Sequence, residues 1–195
     1  MVGLTASFIG AGVLLARAFD TLPAKSIFSV AIYSTGLIAV FCCSAAYNLV
    51  NSQPIKLVLR RFDQAAIYLK IAASYTPFAL VKMGGLAGFG LLAAVWVAAA
   101  FGLIARLFFP GRLIRTGYVL YLAQGWAVVF ALGPFSAAVS SGVLVLLGIG
   151  GLLYTAGVFF HLRQTLPYHN AIWHGFVLVA SCCHYAAVIS AMSLD

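Results

Sequence analysis

Carboxylates are the scarcest resource in this 195-residue chain, which has three acidic side chains, Asp20, Asp63 and Asp195, and no glutamate. Only 7% of its residues are charged, where a soluble domain carries about a quarter. A water-soluble globular fold is therefore excluded. Disulfide frameworks and thiolate metal sites are also disfavoured. The four cysteines form two adjacent pairs, Cys42-Cys43 and Cys182-Cys183, inside hydrophobic runs. Neighbours on a helix point about 100° apart, so neither pair has the C-x-x-C geometry of a metal clip. Both pairs read as reduced core thiols. Internal repeats, low-complexity linkers and long loops are missing too. No basic residue precedes the first apolar run and no cleavage signal follows it, so a retained helix is expected there rather than a signal peptide.

What is present is apolar: 64% of the chain is hydrophobic. Seven hydrophobic segments fall at 2–19, 26–50, 63–82, 86–109, 113–133, 137–160 and 171–193. A membrane helix needs roughly 20 such residues. The joins are punctuated at Pro23, Pro54, Gly84-Gly85, Pro110-Gly111, Gly133-Pro134 and Pro167. The expected fold class is all-α integral membrane, a single seven-helix bundle over 1–195. Proline removes a backbone donor inside a helix, so Tyr75-Thr76-Pro77 is expected to kink the third segment. Gly148, Gly150 and Gly151 suggest close helix packing in the sixth.

The net charge of +8 reads as a topology signal, not as a nucleic-acid surface. Lys56, Arg60, Arg61, Arg106, Arg112, Arg115 and Arg163 sit on one set of loops and helix ends. Arg17, Lys25 and Lys82 sit on the other. Basic residues favour the cytoplasmic side, which places the N-terminus in the cytoplasm and the C-terminus outside. Under that topology a polar set gathers at the cytoplasmic end. It consists of Ser7 in the first segment, Ser44 and Asn48 in the second, Asp63 opening the third, and Asn170 and His174 opening the seventh. Polar groups in membrane helices face protein or a water-filled cavity.

Three stretches carry a family resemblance. They are Ser44-Ala45-Ala46-Tyr47-Asn48; Arg61-Phe62-Asp63-Gln64 through Ile67-Tyr68 to Ser74-Tyr75-Thr76-Pro77; and Pro167-Tyr168-His169-Asn170-Ala171-Ile172-Trp173-His174, continuing to His184. Together they resemble the hemolysin III family, part of the superfamily that holds the adiponectin and progestin receptors. That resemblance implies a seven-helix bundle with its N-terminus inside. It also implies a zinc site of one histidine ending the second helix and two opening the seventh, with a serine and an aspartate beside the metal. Some relatives are linked to amide hydrolysis in lipids such as ceramides. Ser44, Asp63 and His174 match the pattern and are the candidate catalytic residues. Asn48 and Asn170 stand where histidines are expected, and Gln64 replaces the histidine that commonly follows the aspartate. Ser7 stands where the first helix often has another. Catalytic zinc normally takes about three protein ligands from His, Asp, Glu or Cys. No metal or other cofactor is therefore expected, and zinc is the alternative, held by Asp63, His169 and His174.

Lys70 is a further departure. It lies seven residues after Asp63, on the same helix face and about 10.5 Å along the axis. Long helix side chains lean toward the N-terminus, so its ammonium is expected to approach Asp63 and take over the positive charge of a metal; lining a polar crevice or snorkelling is the alternative. Asn48, Gln64, Lys70 and Asn170 are the candidate ligand-binding residues, and a membrane lipid is the expected partner. Among the others, His184 is expected to be a structural hydrogen-bond partner, His161 and Arg163 interfacial, and Tyr118, Tyr121 and Gln124 core residues with polar tips. The four histidines show no pair set on facing helices at matching depth, which disfavours an electron carrier.

Three functions compete at this stage. One is a non-catalytic lipid-binding or membrane-homeostasis protein of the bacterial plasma (inner) membrane. A second is a zinc-dependent lipid amide hydrolase. A third is a pore or cytolysin, which the scarcity of charge in the outer helix halves disfavours.

Overall fold

The computed structural model describes residues 2–109 and 114–193 and, among these, only helices and their connections. Pro110, Gly111 and Arg112 lie outside the described residues, as does Asp195. The order is α1 (Val2–Thr21), α2 (Ala24–Leu49), α3 (Gln53–Thr76), a π-helical segment (Pro77–Met83), α4 (Gly85–Phe108) and α5 (Ile114–Gly125). A 3₁₀ segment (Ala127–Ala131), α6 (Leu132–Ala138), α7 (Ser141–Leu162) and α8 (His169–Met192) follow. Among the described residues, six stretches are long and apolar enough to cross a membrane: α1, α2, α4, Gly117–Ala138, α7 and α8. α3 is not among them, because Lys56, Arg60, Arg61, Asp63 and Lys70 all ride on it.

The chain divides into two compact units, Met1–Ala131 and Leu132–Asp195. In the first, α2 packs against α1 and α3, and α3 against α4 and α5. Close approach of α2 to α3 depends on Gly36, where an added Cβ would lie 2.5 Å from Ala73 Cβ and 3.4 Å from Lys70 Cα. Gly102 of α4 lies directly beneath the Tyr68 ring. Tyr68, Ala72, Ala79, Leu91, Val95, Ala99 and Tyr121 form the core where α3, α4 and α5 meet. In the second unit α7 and α8 form a hairpin. Glycines seven residues apart make the contact: Gly150 under His184, and Gly157 against Trp173 and Phe176. Outside these seams large apolar side chains are bare, with Leu86 92% and Phe130 95% exposed. Exposed apolar surface on this scale suits lipid, not water.

Several boundaries differ from the expectation. α3 starts at Gln53, ten residues before the expected opening at Asp63, because Pro54 occupies its first turn, where the missing N–H costs no helical bond. The same rule accounts for Gly133-Pro134, expected as a join. Pro134 sits in the first turn of α6, and the chain instead breaks at Gly125-Trp126 and again at Val139-Ser140. Pro77 does not merely bend its helix. The backbone leaves the α-helical pattern there and widens to the π form through Met83, which relieves the ring's clash with the preceding turn. Gly148 faces open space and does not belong to the packing seam; Gly157, not singled out beforehand, does.

Candidate functional site

In the first unit the candidate groups line the end of α2 and the α3 helix. Ser44 is half-buried and Asn48 exposed. Asn48 Nδ2 donates to Ser44 O at 2.8 Å, so the amide is engaged with its own helix end. Asp63 and Gln64 are half-buried on α3. The Asp63 carboxylate lies within electrostatic reach of Arg60, one turn earlier, and of the Cys43 thiol next to Ser44. Cys43 was set aside in the sequence as a core thiol, and only the α2–α3 packing brings it to Asp63. Ser7 is buried on α1, its hydroxyl donating to Leu4 O at 2.7 Å. Lys70 is 5% exposed, on the α3 flank that meets Gly36 of α2. It therefore does not lie on the lipid-facing surface.

The second unit holds Asn170, exposed in the first turn of α8, and His174, half-buried one turn on. His169 opens α8, with Nδ1 3.2 Å from Leu166 O. His184 packs edge-on to Tyr154 with centroids 5.4 Å apart, and the Tyr154 hydroxyl pairs with Ser181 Oγ at 2.7 Å. The expectation that no histidines share a depth on facing helices is corrected here. His161 near the end of α7 and His169 at the start of α8 have ring centroids 6.3 Å apart. The tight α7–α8 joint, through Tyr168 in the left-handed region (φ 60°), sets them level. Ser44, Asn48, Asp63, Gln64 and Lys70 thus belong to one unit, and His169, Asn170 and His174 to the other.

Asn48 and Asn170 stand at two of the positions where the zinc centre that the resemblance implies has histidines. Among the described residues, no three His, Cys, Asp or Glu side chains are grouped to hold a metal ion. Asn48, at an expected ligand position, turns its amide onto a backbone carbonyl.

Sequence reasoning missed a second polar centre in the first unit. Arg106, expected to mark a helix end, is 6% exposed. Its guanidinium hydrogen-bonds the phenols of Tyr68 and Tyr121, and its Cζ lies 5.8 Å from the Tyr121 ring centroid. Both phenols also donate to backbone, Tyr68 to Gly117 O at 3.2 Å and Tyr121 to Gln64 O at 3.1 Å. An added Cβ at Gly117 would collide with the guanidinium, which would have to shift. Gln124 Nε2 donates to Tyr68 O and to Val95 O, each at 3.1 Å. Tyr121 and Gln124 are therefore core residues with engaged polar tips, as expected. A signal did exist: Val95, Ala99, Gly102 and Arg106 recur at helical spacing, which puts Arg106 on the buried face of α4.

A polytopic helical membrane protein is the class these features define: long apolar helices, lipid-suited surfaces and a few buried polar centres. The chain belongs to the haemolysin-III related family, whose model matches residues 1–185. It is similar to the hemolysin-3 homolog of Bacillus subtilis (strain 168), 35% identical over 166 residues covering 85% of this chain and 78% of that protein. It is also similar to hemolysin-3 of Bacillus cereus, 31% identical over 177 residues, 91% of this chain and 81% of that protein. The human monocyte to macrophage differentiation factor is 29% identical over 163 residues, 80% of this chain and 67% of that protein.

Proposed function

We propose that this protein is a lipid-binding member of its family that works without catalytic zinc in the bacterial plasma membrane. The observation that carries the reading is the pair of asparagines, Asn48 and Asn170, where the family pattern has histidines. An asparagine amide is a poor zinc ligand but a good hydrogen-bond partner for a headgroup. In this reading α3 and its π-helical extension form a seventh span starting near Asp63, and the N-terminus is cytoplasmic. Ser44, Asn48, Asp63, Gln64 and Lys70 then form a polar headgroup site at the cytoplasmic end of the first unit, and Asn170 and His174 are the ligand-binding candidates of the second. Lys70 provides the cation that attracts an anionic or zwitterionic lipid. Its burial supports that role, because a lysine serving only as an interfacial anchor would reach for water.

The test is elemental and lipid mass spectrometry on protein purified in mild detergent, beside Asn48→Ala, Lys70→Met and His174→Ala. The expected result is a lipid that co-purifies with the parent protein and is depleted in Asn48→Ala and Lys70→Met. Stoichiometric zinc lost in His174→Ala, with hydrolysis of a lipid amide, would overturn the proposal in favour of the metallohydrolase. Ion flux through liposomes carrying the protein would overturn it in favour of a pore.

A further inference from the structure

The joint between α7 and α8 holds a second arrangement, independent of the headgroup pocket. His161 lies one residue before the end of α7, and His169 is the first residue of α8. Their ring centroids are 6.3 Å apart, and the His161 ring also lies 5.3 Å from the Trp173 ring, one turn into α8. Both imidazoles are half-buried. Arg163, the nearest cation in sequence, is exposed and lies over the Phe159 ring at 4.9 Å.

Two further features prepare the pair. Tyr168, directly before His169, adopts the left-handed conformation, which non-glycine residues usually avoid. A rarely occupied backbone state is thus held at the residue that sets where His169 projects. In addition, His169 Nδ1 lies 3.2 Å from Leu166 O. A carbonyl can only accept, so this contact assigns the proton to Nδ1 and leaves the Nε2 lone pair free. Metal-ligating histidines are oriented in this way, by a backbone carbonyl on the other ring nitrogen.

The spacing suits a shared ion. A Zn–N bond of about 2.1 Å puts each ring centre about 3.2 Å from the metal, so two rings on one ion have centres about 5.2 Å apart at a tetrahedral angle and about 6.4 Å when opposed. The observed 6.3 Å lies at the opposed end of that range, which matches the trans positions of a square-planar or tetragonal ion and not a tetrahedral one.

We propose that His161 and His169 form a divalent-metal site at the α7–α8 joint. Two neutral imidazoles set nearly opposite each other select ions of the nickel and copper class over magnesium or calcium, and water completes the shell. Such an ion ties the end of α7 to the start of α8. It does not require Asn48, Asp63, Asn170 or His174.

The experiment uses the full chain in detergent, stripped with chelator and titrated with Ni²⁺ against a chromophoric competitor. The expected result is one ion per chain. Affinity should fall at least tenfold in His161→Ala and in His169→Ala, and again in the gentler His161→Gln, and be unchanged in His174→Ala. Ni²⁺ should quench tryptophan emission in the parent protein and less in Trp173→Phe, because the Trp173 ring lies 5.3 Å from that of His161. Absence of binding to the stripped chain would overturn the proposal. So would binding that survives His161→Ala, or binding lost in His174→Ala. The last result would put the metal at the family position and refute the metal-free reading as well; the first two would leave that reading standing.

Discussion

A methyl group added to Gly102 tests the packing logic of the first unit. The new Cβ would lie 2.4 Å from Tyr68 Cε1 and 2.5 Å from Cδ1. That ring cannot easily retreat. It is 1% exposed, it lies 4.4 Å from the Tyr121 ring by centroids, and its hydroxyl is bound to Gly117 O. Overpacking of this kind costs about 1–3 kcal/mol. Alanine returns up to about 1 kcal/mol of helix propensity over glycine. The net expectation for Gly102→Ala is a loss of about 1–2 kcal/mol, which is roughly a 5- to 30-fold drop in the folded-to-unfolded ratio. Gly148→Ala is the internal control, because nothing lies within 4 Å of its added Cβ; it should be neutral or gain up to about 1 kcal/mol. Reversible unfolding of both variants in mixed micelles, followed by circular dichroism, measures the difference. Equal stability of Gly102→Ala and the parent protein would refute the α3–α4 packing described here.

Three further perturbations follow from other contacts. Tyr75 Oη donates to Gly125 O at 2.6 Å and accepts from Val128 N at 3.1 Å, across the break after α5. Tyr75→Phe should cost about 1–3 kcal/mol by stranding those backbone groups, and hydrogen exchange should rise first at Val128. Arg106→Lys keeps the charge but loses the planar fork that serves two phenols; a loss of about 1–2 kcal/mol is expected, read in the same unfolding assay. Asn170→His sets two histidines one turn apart on α8, with His174, and should acquire zinc that a further His174→Ala removes. Failure of elemental analysis to detect it would mean that more than this ligand separates the second unit from a zinc-binding pattern.

Some of this molecule was legible from composition and spacing alone. Runs of some twenty apolar residues in a chain with three carboxylates leave only membrane helices, because an unpaired backbone in lipid must satisfy itself within the helix. The motifs around Ser44, Asp63 and His174 were enough to place the family. The asparagines at 48 and 170 are likewise plain in the sequence. Other features depend on partners distant in the chain, and no local pattern encodes them. Arg106 looks like a loop charge until the α3–α5 packing encloses it with Tyr68 and Tyr121. Pro134 looks like a break until its place in the first turn of α6 makes it harmless. His161 and His169 look unrelated until the left-handed turn at Tyr168 sets them level. Hydrophobicity is a property of each residue and survives in one dimension. Burial of a cation, the seating of a ring on a glycine and the meeting of two imidazoles are decided only when helices pack.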